Sequence, residues 1–165
     1  MLGVTLARGR VFGFGELVNW GIGELGNRKF NLIYFTLVLL MDYRYSFEKL
    51  EVWQLSRAYV KRVYEVVQAM FPAYEAYGLS SQIQRAAVSI SSNITEGVSR
   101  KTPKEELRFI EMAYASLMET YNQWYIALDV NYINEETFRD IQQQINQLAN
   151  KLNSFARAIE NRLTN

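Results

Sequence analysis

Residues 75–100, EAYGLSSQIQRAAVSISSNITEGVSR, constrain the fold more than any other stretch. Ile83, Ala87, Ile90, Ile94 and Val98 recur every three or four positions, which selects one face of a helix. Arg85, Ser89, Ser92 and Glu96 share the opposite face. Ala86, Ala87, Ser89, Ser91 and Ser92 are small enough to let a neighbouring backbone come close. Ser81 and Gln84 have the spacing of a capping box, and Gly78 precedes the helix. Gly97 is read as a residue that closes the helix in left-handed geometry. Such a helix cannot stand alone, so the rest of the chain must supply apolar stripes to cover it.

Three further segments do so. One begins near residues 47–51 with Trp53, Ser56, Val60, Val63, Val67 and Met70 as its seam, and stops before Pro72. The connection FPAYEAYGL brings Phe71, Tyr74 and Tyr77, which are expected to plug the end of the core. The next helix starts with Thr102 as N-cap, Pro103 in the first turn and Glu105 completing a capping box. Its seam is Ile110, Ala113, Leu117, Tyr121, Trp124 and Leu128, and it ends at Asn131. Asn134 caps the last helix, whose seam is Phe138, Ile141, Ile145, Leu148, Leu152, Phe155 and Ile159. No strand pattern appears after residue 40. Four amphipathic helices on short connections predict an all-α fold, an antiparallel up-down-up-down four-helix bundle over residues 41–165.

Residues 1–40 are of another kind and are predicted as a non-bundle extension. They hold seven of the nine glycines and lead into an apolar run, FNLIYFTLVLLM, at residues 30–41. That run is shorter than the roughly 20 apolar residues that span a bilayer. No small-residue cleavage site follows it, since the next residues are Asp42, Tyr43 and Arg44. The simplest expectation is that translation starts at Met41 and that the upstream segment is an accessory extension or a gene-start artefact. No membrane partner is expected unless that segment is made.

Composition excludes whole classes of chemistry. With no cysteine and no histidine, thiol nucleophiles, disulfides, zinc fingers and imidazole acid–base catalysis are all absent. A carboxylate-bridged di-iron centre would need histidines on two helices. No glycine-rich phosphate loop follows a strand, and no serine sits in a nucleophile elbow. The expectation is therefore no enzyme, no cofactor and no metal. Lack of cysteine agrees with a cytoplasmic location. A formal net charge of +1 announces no strong field for nucleic acid.

The residues LEVWQLSRAYVKRVY (50–64), FPAYEAYGLSSQIQRAAVSISSNITEG (71–97) and SRKTPKEELRFIEMAYASLMET (99–120) resemble the four-helix bundle protein family, also called the 23S rRNA-intervening-sequence protein family. Its pattern opens on VWQ with Ala and Arg following, then runs FP-x-x-E-x-[YF]-GL-x-x-Q-x-RRAAVSI-x-x-NIAEG. The similarity covers residues 41–165 nearly throughout and nothing before them. Departures are Gln84 where arginine is common, Thr95 for alanine, and Tyr114–Ala115 for a pair that often contains glycine. The resemblance implies a bundle that assembles into a ring, usually a homopentamer. It also implies genes found inside intervening sequences of large-subunit ribosomal RNA genes. More distant relatives are accessory proteins of diversity-generating retroelements that bind a reverse transcriptase and nucleic acid. It implies no reaction.

Two constellations are candidate sites. Arg100, Lys101, Lys104 and Arg108 form the densest basic cluster, which Arg85 could join through folding or assembly. Phosphate binding is one reading and a solvated surface the other, the second favoured by the interrupting Glu105 and Glu106. Arg85, Asn93 and Glu96 are either a contact for RNA or a partner chain, or a hydrogen-bonded polar seam between helices or subunits. Arg85 and Glu96 stand three turns apart, too far to pair directly. Phe109, Tyr114 and Tyr125 point off the seam and are candidates for the contact between subunits. The expected partners are further copies of the chain and RNA or an RNA-handling protein. The alternative is a protein–protein adaptor of a mobile-element locus that binds no nucleic acid.

Overall fold

A computed structural model describes residues 4–6, 10–12 and 45–164. Contacts divide the chain into Met1–Arg44 and Tyr45–Asn165. In the first unit β1 (Val4–Leu6) and β2 (Arg10–Phe12) pair antiparallel with Val4 opposite Phe12, where no element is predicted. The apolar run at residues 30–41 lies outside the described residues.

The second unit is a four-helix bundle: α1 (Glu51–Met70), α2 (Leu79–Val98), α3 (Pro103–Asp129) and α4 (Glu135–Thr164). Two 3-10 turns, Ser46–Lys49 and Ala73–Tyr77, precede α1 and α2. Cross-helix partners fix the directions. Glu51 meets Lys151 and Arg62 meets Asp140, so α1 runs against α4. Ser89 meets Ser116 while Gly97 faces Phe109, so α2 runs against α3. Tyr121 meets Gln142 and Glu106 meets Arg162, so α3 runs against α4. The bundle thus has a junction end, where α2 passes into α3, and a linker end, where α1 passes into α2 and α3 into α4.

Helix boundaries follow backbone chemistry. Pro72 has no N–H to donate, and Phe71 is already extended at ψ 140°, so α1 stops. Thr102 caps α3 by accepting from the Glu105 N–H at 3.3 Å, with Pro103 in the first turn. Glu105 does not close the predicted box, because its carboxylate takes the Thr102 hydroxyl instead at 3.1 Å. At the far end of α3, Asn131 adopts φ 61°, a left-handed position that asparagine tolerates. The N–H groups of Asn131 and Tyr132 then donate to the Leu128 and Ala127 carbonyls, which satisfies two otherwise orphaned acceptors. Asn134 caps α4 by accepting from the Thr137 N–H at 2.9 Å.

Three expectations need correction here. Ser81 and Gln84 are not a cap, since α2 starts at Leu79 and its first N–H donates to Glu75 Oε2 at 2.7 Å. A carboxylate reaching back from the preceding turn replaces the serine hydroxyl. Gly97 does not close α2 either; it is buried inside the helix, where an added Cβ would stand 3.0 Å from Phe109 Cβ and 3.2 Å from the Glu106 carbonyl. Its lack of a side chain lets α3 come close. Finally, Tyr74 and Tyr77 do not plug the core: they are 75% and 98% exposed, and only Phe71 turns inward, edge-on to Trp124.

The core is the set of inward stripes. In α2, Ile83, Ala87, Ile90 and Ile94 are buried as expected, and α4 buries its whole seam except Phe155, which is half-buried. The α1 stripe is rotated from the expected one: Val52, Ser56, Tyr59, Val63, Val66 and Val67 point in, while Trp53 and Val60 sit at the rim and Met70 is exposed. Trp53 leaves the seam because Phe47 and Arg57 hold its ring at the edge of the bundle. At mid-core the Trp124 indole donates to Tyr59 Oη at 3.0 Å, Tyr59 donates to Thr120 Oγ1 at 2.8 Å, and Thr120 donates to the Leu117 carbonyl at 2.7 Å. Burial pushes the Tyr59 phenol up to about 12 against the smaller opposing effect of those bonds. Each polar tip in this Trp124–Tyr59–Thr120 network is satisfied, so two bulky rings fill the interior without orphaned groups of their own.

Candidate nucleic-acid interface

The basic cluster forms where α2 hands over to α3, and the two acids that interrupt it in sequence are engaged elsewhere. Glu105 is turned back onto the Thr102 hydroxyl. Glu106 has a largely covered side chain and pairs with Arg162 of α4 at 2.7 Å. Arg100 is engaged too: it pairs with Glu96 one turn back and lies over the Phe109 ring, 4.5 Å from the centroid. Lys101, Lys104 and Arg108 remain exposed and make no ion pair with a described residue. Lys104 and Arg108 are one turn apart on α3, so these cations form one strip beside a helix N-terminus, whose partial positive charge adds to theirs.

Around this strip the end of the bundle is cationic. The halves of the helices that meet here, residues 45–60, 89–116 and 150–164, carry nine Lys or Arg and seven Asp or Glu. The other halves, residues 61–88 and 117–149, carry four and seven. A net charge near zero over the whole chain therefore conceals a dipolar bundle. Beside the strip lies a shallow cleft between α1 and α2, floored by Trp53, Arg57, Thr95 and Glu96. Arg57 stands 4.9 Å above the Trp53 ring. Sequence reading passed over this pair, although the i, i+4 spacing of Trp53 and Arg57 is the signal that would have found it.

The remaining candidates separate. Arg85 lies on α2 toward the linker end, away from the junction cluster, exposed and without an ion pair to a described residue. Asn93 belongs to a polar seam between α2 and α3: its amide donates to the Ser89 carbonyl at 2.9 Å and to Ser89 Oγ at 3.0 Å, and Ser89 shares a hydrogen bond with Ser116. Glu96 serves Arg100 and not Arg85. Phe109 is half-buried between Gly97 and Arg100, and Tyr114 is half-buried against the core. Tyr125 is exposed on one side, packs on Phe138 with ring centroids 4.7 Å apart, and shares a hydrogen bond with Tyr121. That bond first, and then the Gln142 amide, hold the Tyr121 phenol below its usual range, while Tyr125 is pushed up.

Among the described residues no group of His, Cys, Asp and Glu could hold a metal ion, and no helix is long and apolar enough to cross a membrane. The sequence profile of the 23S rRNA-intervening sequence protein family matches residues 48–154. Among solved structures, a protein of unknown function from the S23 ribosomal protein family of Bacteroides thetaiotaomicron superposes with a TM-score of 0.59. The two are 20% identical, over 64% of this chain and 97% of that one, a likeness that speaks to the fold alone. No curated protein sequence matches the chain.

Proposed function

The chain belongs to the 23S rRNA-intervening sequence protein family, and from that premise we propose that it is a non-enzymatic, cytoplasmic scaffold that binds structured RNA through its junction end. The observation that carries this reading is that Lys101, Lys104 and Arg108 are exposed without an ion pair to a described residue, with Glu106 paired to Arg162 and Glu105 turned back onto the Thr102 hydroxyl. Exposed cations without partners bind polyphosphate by displacing condensed counterions, a contribution that does not depend on sequence. Three cations on one subunit give weak binding. Assembly into a homopentamer would repeat the strip and raise avidity without any new type of contact. Asn93, Tyr114 and Tyr125 lie on α2 and α3, the helices whose outer faces would meet in such a ring.

The test is binding of a structured ribosomal RNA fragment across a salt series, with light scattering on the same sample. Affinity should fall steeply with salt, by a slope of about 0.7–0.9 per phosphate neutralised. The triple variant K101A/K104A/R108A should flatten that slope. No binding at low ionic strength would remove the RNA reading, and a monomer mass at micromolar concentration would remove the ring. In that case capture of a protein partner that survives nuclease would support the adaptor reading.

A further inference from the structure

The linker end carries a second surface of opposite character. Tyr77 is 98% exposed and Tyr74 75%, on a 3-10 turn that is not loose. Glu75 ties it down at both carboxylate oxygens: Oε2 accepts from the Leu79 N–H at 2.7 Å and Oε1 from the Tyr132 hydroxyl at 3.0 Å. Tyr74 shares a hydrogen bond with that same hydroxyl at 3.1 Å, and its ring packs edge-on to Tyr132. The Tyr74 ring is thus held in water on Tyr132 and the Tyr77 ring stands free beside it on the same turn, where a folded monomer gains nothing by keeping them. Met70, its sulfur 3.7 Å from the Thr137 hydroxyl, and Val130, two residues before Tyr132, extend the exposed apolar surface at this end.

This end carries an acidic excess, seven Asp or Glu to four Lys or Arg, with Arg85 and Arg139 among its cations and the Arg139 Nε donating to the Glu135 carbonyl at 3.2 Å. Asp129 ends α3 and Glu135 and Glu136 open α4, all three exposed and none in an ion pair with a described residue. Asp140 is the acid here that an arginine, Arg62, already holds. Exposed aromatic rings and unpaired carboxylates on one end of the bundle offer the chemistry that recognises guanidinium: the ring takes the flat cation face-on and the carboxylates take its N–H groups. An anionic ligand such as RNA is repelled from the same surface. We propose that the linker end, through Tyr74 and Tyr77 with Asp129, Glu135 and Glu136, docks an arginine-rich segment of a partner polypeptide. This surface is independent of the RNA strip at the other end of the bundle and stands whether or not that strip binds RNA.

Fluorescence anisotropy of a labelled octa-arginine peptide against the full chain at low ionic strength tests it, with octa-lysine as the comparison. Octa-arginine should bind, and more tightly than octa-lysine, because guanidinium stacks on a ring and ammonium does not. Y74A/Y77A keeps every charge and should weaken binding by about tenfold, the product of two exposed cation–π contacts. Y77A removes a side chain with no packing to lose, so its smaller loss, about threefold, cannot come from misfolding. E135Q/E136Q should weaken binding while leaving the far-UV circular dichroism unchanged. Failure of octa-arginine to bind, or equal affinity for the wild type and Y77A, overturns the proposal. Equal affinity for the two peptides would reduce the effect to bulk charge and overturns it as well.

Discussion

The two ends of the bundle are built on the same helices yet solve opposite problems. At the junction end Glu96 is held by Arg100, Glu106 by Arg162 and Glu105 by the Thr102 hydroxyl, so that Lys101, Lys104 and Arg108 face water unpaired, although Glu111 and Glu160 stay exposed as well. At the linker end a carboxylate is again engaged, Glu75 on the α2 backbone and Tyr132, but Asp129, Glu135 and Glu136 at the same end are exposed and in no ion pair with a described residue. Which charges a surface shows is therefore set less by what the sequence contains than by which of them the turns and helix starts use. The ends also differ in packing. Gly97 admits α3 to close contact with α2, whereas Phe71 and Trp124 fill the linker end with rings.

That contrast can be broken by mutation. The largest effect is expected from W124A, which removes the biggest buried side chain and leaves Tyr59 without its donor. It should cost about 3–5 kcal/mol in chemical denaturation. Hydrogen-exchange protection should fall most in the linker-end halves of α1 and α3 and least around Gly97.

Next comes alkaline pH. Burial raises the Tyr59 phenol from 10.0 to about 12, so between those values the native state keeps a proton that the unfolded chain has released. Unfolding free energy should hold steady from this group below about pH 10 and fall by about 2–3 kcal/mol in total as pH rises to about 12. Y59F should be less stable at neutral pH, because the Trp124 indole loses its acceptor, and should lack this part of the alkaline loss. A wild-type curve that runs parallel to Y59F above pH 10 would contradict the buried network.

The two glycines give the smallest and most discriminating pair. G97V forces a branched side chain against Phe109 and the Glu106 carbonyl, and overpacking of that kind costs about 1–3 kcal/mol. In G78A the new methyl collides only with the end of the Glu75 side chain, which can swing away at the expense of its cap on the Leu79 N–H. The loss should be about 1 kcal/mol, the value of a helix cap. Thermal melts of the two variants should therefore separate the junction end from the linker end. Equal shifts would mean that Gly97 is not the point of close approach.

Much of this was legible in the chain because its causes are local. The caps at Thr102 and Asn134, the stop at Pro72 and the stripes of α2 and α4 follow from residues within one or two turns. The α1 stripe was misplaced because its orientation depends on α2 and α4, which cover it from two sides, and on the rim contacts of Trp53 with Phe47 and Arg57. The basic strip was visible as a run of residue types, but its freedom was not. Nothing near Glu106 in sequence says that Arg162, fifty-six positions on, will take it. Tyr74 and Tyr77 were placed in the core on composition, since aromatic rings bury well, and the Tyr132 and Glu75 contacts that hold their turn outward span the length of two helices.

The sequence by itself determined that residues beyond 45 form four amphipathic helices, and where most of them start and stop, because periodicity and capping act over a few residues. Tertiary structure decided which charges are spent across helices. Glu106 reaches Arg162, and Glu75 reaches Tyr132, only when antiparallel packing brings the partners together, whereas Glu96–Arg100 and the Glu75 cap on Leu79 are local.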